Sequence, residues 1–144
     1  MRAVFSLAAR PSAVYAYALQ VAEQLPPRLR LRKVEVGVGE ALSNAIIHGA
    51  LGIESRDGMT IAEYIQRIGD GEQRYGTTRS ITVSIETHPG GNATITVEDP
   101  GTGYDTSRTS VVPGRGLDIM RRCFSFVRVE HGGKRVVLGV GALS

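Results

Sequence analysis

At 144 residues, 42% hydrophobic and 22% charged, the chain is long enough for one domain with a real core and short for two. No apolar run approaches the roughly 20 residues of a membrane span, the N-terminus lacks a secretory pattern, and the single Cys123 excludes an internal disulfide, so a cytoplasmic protein is expected. The net charge of +3 lies partly in Arg28, Arg30, Arg32 and Lys33 and partly in Arg121, Arg122, Arg128, Lys134 and Arg135, with no basic run interleaved with aromatics, so direct nucleic-acid binding is not expected.

Residues 2–8 are short, apolar and compatible with a strand. Pro11 suits a first helical turn, and Val14, Tyr15, Ala18, Leu19, Ala22 and Leu25 recur behind it at helical spacing until Pro26-Pro27 stops the helix. A second helix runs from near Leu31 to His48 or Gly49, with Gly49 placed to cap it. Val34, Val38, Ala41, Leu42 and Ala45 make its apolar face, while Glu40, Asn44 and His48 share an adjacent arc of roughly 80°. Gly37 and Gly39 each cost such a helix about 1 kcal/mol relative to alanine, which makes sense if something approaches its backbone closely.

Residues 50–79 form a polar, glycine-punctuated connection with one helical stretch marked by Ile61, Tyr64, Ile65 and Ile68. Ser80–Thr87 and Ala93–Glu98 alternate as strands on either side of the turn His88-Pro89-Gly90-Gly91. A polar loop at 104–113 leads to a helix at Gly116–Cys123. A strand at Phe124–His131, a turn at Gly132-Gly133 and a last strand at Lys134–Val140 complete the chain. Strands joined by hairpins with helices grouped between them imply an α+β sandwich, not a doubly wound parallel sheet.

Three short segments carry chemistry. Asn44 has a neutral amide oxygen that can complete a magnesium shell otherwise made of water and phosphate oxygens. One turn earlier, Glu40 offers a carboxylate able to take a proton from an attacking hydroxyl. Asp99, after a strand and before Gly101 and Gly103, can accept a hydrogen bond from the adenine amine and would repel the guanine carbonyl. Gly114-Arg115-Gly116-Leu117 opens a helix whose first amides suit phosphate. Each segment alone reads equally as a solvated helix face, an Asp-Pro-Gly turn or a glycine-lined loop; their conjunction in this order points to a nucleotide site. No G-x-x-x-x-G-K-[ST] loop is present, so the design differs from the P-loop. His48, His88 and His131 lack metal-ligand spacing, though His48 is placed to approach phosphates.

Val34–Gly49 resembles the N box of the gyrase, chaperone, histidine-kinase and mismatch-repair (GHKL) ATPase superfamily. Val97–Gly103 resembles its first glycine box, and Gly114–Leu117 its second. Within the superfamily the chain looks most like the anti-sigma-factor serine/threonine kinases of bacterial partner switching. The similarity spans nearly all of residues 1–144 as a single domain.

The resemblance implies a Bergerat-type two-layer fold, with helices on one face of a mixed, mostly antiparallel sheet and ATP between them. It also implies Glu40 as base, Asn44 on Mg2+ and Asp99 on adenine. Three features depart from the pattern: the long 50–79 connection, a short ATP lid at 104–113, and Lys134-Arg135 where many relatives have a threonine near adenine. The expected function is an ATP-dependent serine/threonine kinase that binds a sigma factor or similar regulator and phosphorylates a small antagonist, with a homodimer compatible. The alternatives are a non-catalytic ATP-binding regulatory module and the ATP-binding domain of a larger histidine-kinase-like protein.

Overall fold

The computed structural model describes residues 1–54, 58–100 and 115–141. Strand β1 (Arg2–Ala8) leads through a short 3-10 turn to helix α1 (Val14–Glu23). Helix α2 (Arg32–Ser43) runs on without a break into a wide π-helical turn over Asn44–Ala50. Helix α3 (Ile61–Tyr75), strands β2 (Ser80–Thr87) and β3 (Ala93–Glu98), helix α4 (Arg115–Cys123) and strands β4 (Phe126–Glu130) and β5 (Arg135–Val140) follow. The five strands form one sheet in the order β1-β2-β3-β5-β4, and all four pairings are antiparallel.

Alternation along the strands sorts the two faces. Ile81, Val83 and Ile85 of β2, Ile95 and Val97 of β3, and Val136, Leu138 and Val140 of β5 are buried in one cluster with Val34, Val38, Leu42 and Ile46 of α2 and its continuation. The other face is mostly polar. Register places Ser6, Thr82, Glu98, Arg135 and Glu130 in a row across it. There the Arg135 guanidinium pairs with Glu98 at 3.3 Å and Glu130 at 3.5 Å. The result is the α+β two-layer sandwich expected from the hairpin pattern.

Local differences from the sequence expectations have physical causes. Gly49 does not cap α2: the helical backbone continues through it to Ala50, and the left-handed glycine comes later, at Gly52 with φ +68°. Phe124 is not the first residue of β4. Its amide donates to the Met120 carbonyl and prolongs the last turn of α4, so β4 begins at Phe126. Arg30, exposed on the surface, donates from its guanidinium to the Leu25 and Glu23 carbonyls at 2.8 and 2.9 Å and closes the end of α1.

The paired glycines of α2 turn out to differ. A Cβ at Gly37 would lie 2.5 Å from the Phe124 ring and 2.7 Å from Cys123 Cβ, so this glycine admits α4 against α2. At Gly39 nothing lies within 4 Å. Gly37→Ala should therefore destabilise the fold by about 1–3 kcal/mol through overpacking. Gly39→Ala should stabilise it by about 0.4–1 kcal/mol by narrowing the unfolded ensemble. Urea denaturation of the two variants checks the opposite signs.

Helix α3 is attached by its C-terminal half. Gly71 packs under Ile53 and Leu51, and the Glu72 carboxylate accepts from both the Ser12 amide and the Ser12 hydroxyl at 2.7 Å. Burial alone would raise the Glu72 pKa, but the two Ser12 bonds and the Arg10 charge outweigh it and hold the carboxyl below its ordinary value.

Candidate functional site

Asn44 is the first residue of the π-helical turn, four positions after Glu40, and both side chains are half-buried. The turn is wide because the Leu51 amide reaches back five residues to the Ile46 carbonyl at 2.8 Å, and the Ile53 amide bonds Ile47 at 2.9 Å. Ala45, Ile46, Gly49 and Ala50 stay buried, leaving Asn44, Ile47 and His48 on the half-buried side. His48 Nδ1 lies 2.6 Å from the Ile53 carbonyl and donates to it. In the neutral ring that leaves Nε2 as the acceptor nitrogen.

Glu40 belongs to two surroundings. Toward α4 its charge reaches Cys123, whose thiol pKa is raised first by burial and further by Glu40, while Lys33 and the Gly37 backbone oppose the rise. Toward α1 it lines a groove of about 240 Å³ together with Tyr15, Val36, Gly39 and Ser43. Tyr15 is 80% exposed and Val36 49%, so the groove is open to the surroundings. Cys123 itself is half-buried against Gly37.

Asp99 follows the last residue of β3. Its amide donates to the Lys134 carbonyl at 2.8 Å, adding one bond beyond the Glu98–Arg135 pair that ends the β3–β5 ladder. The residue is only 5% exposed, and its carboxylate lies against Gly49. Thus the N-box helix and the end of β3 meet at one point, which places Asp99 beside the segment that carries Asn44. Arg135 is held by Glu98 and Glu130 on the opposite face of the sheet.

Helix α4 starts at Arg115 and includes Gly116; Leu117 packs against the core. Gly101, Gly103 and Gly114, with the expected lid at 104–113, lie outside the described residues. A larger cleft, about 590 Å³, is lined among the described residues by the C-terminal half of α3, from Asp70 to Tyr75. None of Glu40, Asn44 and Asp99 is among the described residues that line it. Among the described residues no group of three or more His, Cys, Asp or Glu side chains could hold a metal ion. No helix among them is long and apolar enough to cross a membrane.

Two contacts were not foreseen from the sequence. The Gly49–Asp99 approach joins residues fifty apart, and a glycine read as a helix cap carried no sign of it. Arg79 Nη1 donates to the Ala50 carbonyl at 2.9 Å while its guanidinium stacks 3.7 Å from the Tyr75 ring centre. It therefore ties the end of the π-helical turn to α3 and β2.

The structure thus sets a buried carboxylate, Asp99, at a strand end against the helical segment that carries Asn44, with Glu40 one turn earlier. The family model for the histidine kinase-like ATPase domain matches residues 7–140. The chain belongs to that family. Membership brings ATP binding with it, and the match covers every element from the end of β1 to the end of β5. No match was found among curated proteins. In this histidine kinase-like ATPase domain the Asp99 carboxylate is shielded from water, with the residue only 5% exposed.

Proposed function

We propose that this ATPase-family domain is a serine/threonine kinase-like regulator of the partner-switching type. It phosphorylates a small antagonist protein and restrains a sigma factor or similar regulator. The observation that carries this reading is the placement of Glu40, half-buried one turn before Asn44 and lining an open groove between α1 and α2. A hydroxyl presented from that groove meets a carboxylate able to accept its proton.

Asn44 would supply an amide oxygen to Mg2+, whose remaining ligands are phosphate oxygens and water. Asp99 would fix the adenine, Arg115 and the start of α4 would face the phosphates, and bound ATP supplies the phosphoryl group. The antagonist's serine or threonine gains about −1.5 to −2 charges on modification. Glu35 and Glu40 line the groove against the single cation Arg32 among the described residues, so on balance that charge is repelled and the modified antagonist leaves.

Incubation with labelled ATP and candidate antagonists, followed by mass spectrometry, tests the proposal. Phosphate is expected on a serine or threonine of the antagonist and on no histidine of this chain. The phosphorylated antagonist should bind at least ~10-fold more weakly, a difference of about 1.4 kcal/mol. Stable phosphohistidine here, or equal affinity for both antagonist forms, rejects partner switching. ATP binding without transfer to any antagonist would favour the non-catalytic module.

A further inference from the structure

We infer that Gly49 is a positioning residue for adenine recognition, holding the Asp99 carboxylate in place through the absence of its own side chain. The inference rests on Asp99 being the adenine contact. Gly49 is buried within the π-helical turn, and a Cβ built there would overlap Asp99 Oδ2, lie 2.5 Å from Cγ and stand 3.0 Å from Asp99 Cβ. Its φ is not among the positive values of the chain, so the requirement is space and not a left-handed backbone.

Neither side of the contact can retreat cheaply. The segment carrying Gly49 is fixed by the Leu51–Ile46 bond at 2.8 Å and by the Arg79 bond to the Ala50 carbonyl at 2.9 Å. Asp99 is fixed by its amide bond to Lys134 and by the β3–β5 register just before it. A methyl at position 49 is therefore absorbed mainly by turning the Asp99 carboxylate away. A displacement of about 1 Å is enough to spoil a hydrogen bond that depends on both length and angle. Affinity for adenine should then fall together with discrimination against guanine, because both depend on where the same oxygens stand.

The test compares ATP and GTP binding by calorimetry for the unaltered protein, Gly49→Ala and Gly69→Ala. Position 69 is a control, since a Cβ there meets nothing within 4 Å. Gly49→Ala should bind ATP at least ~10-fold more weakly, with its ATP-to-GTP ratio falling toward one, while Gly69→Ala keeps both values. A packing role alone would lower the melting temperature and leave the ratio unchanged, and that result overturns the inference while leaving the nucleotide site standing. Equal binding of ATP and GTP by the unaltered protein overturns both. Should Gly49→Ala not fold, the amide resonance of Gly49 in the unaltered protein decides. Adenosine added without phosphate should shift it, and binding that leaves it unmoved overturns the inference.

Discussion

Glu40→Ala is expected to bind ATP about as tightly as the unaltered protein and to lose roughly 10²–10⁴-fold in phosphotransfer rate. A general base acts on the attacking hydroxyl as the new bond forms, so its removal raises the barrier without weakening the ground-state complex. Glu40→Gln, which keeps the shape and loses the charge, should show the same loss. A second consequence reports on the side chain's location independently of activity. Because the Glu40 charge helps raise the Cys123 pKa, either substitution should lower that pKa and make the thiol react faster with an alkylating agent near neutral pH. Phosphotransfer at the original rate in Glu40→Ala would mean that another group takes the proton. Unchanged thiol reactivity would mean that the carboxylate does not face α4.

The strands were the most legible part of the fold. Ser80–Thr87 and Ala93–Glu98 were delimited correctly because strict alternation and a Pro-Gly-Gly turn leave little freedom in register. Helix α3 was legible as a helix but not in its packing. Ile61, Tyr64, Ile65 and Ile68 have the spacing of a buried stripe, yet Ile61 is 57% exposed and Ile65 62%, with no residue of α3 fully buried. Periodicity reports which residues share a face and cannot say whether another element covers it.

The π-helical turn was illegible for a different reason. It arises from hydrogen bonds reaching back from Leu51 and Ile53 and from the Arg79 contact, and no spacing of side chains encodes those. The site was legible as a list of residues, since Glu40, Asn44 and Asp99 sit in motifs whose chemistry is local. That Gly49 abuts Asp99 depends on how the helix layer lies over the sheet, and that is a tertiary fact. Gly37 shows the same limit: its glycine was expected to admit a close neighbour, but only packing identifies that neighbour as Phe124 and Cys123.

Asp99→Asn should fold normally and bind ATP roughly 10- to 100-fold more weakly, the scale of losing one hydrogen bond to a charged acceptor, about 1.5–3 kcal/mol. The substitution is nearly isosteric, so the contact with Gly49 and the backbone bond to Lys134 at 2.8 Å are retained and a change in binding cannot be assigned to packing. What changes is polarity at one atom. An amide nitrogen replaces a carboxylate oxygen, and if it faces the base it can donate to the guanine carbonyl that the carboxylate repels. The preference for adenine should therefore shrink by more than the loss in ATP affinity alone, because GTP binding improves while ATP binding falls. Thermal melting with and without each nucleotide measures both changes, since a ligand stabilises the fold according to its concentration relative to its Kd. An Asn variant whose ATP and GTP affinities both match those of the unaltered protein would remove Asp99 from the base-binding surface.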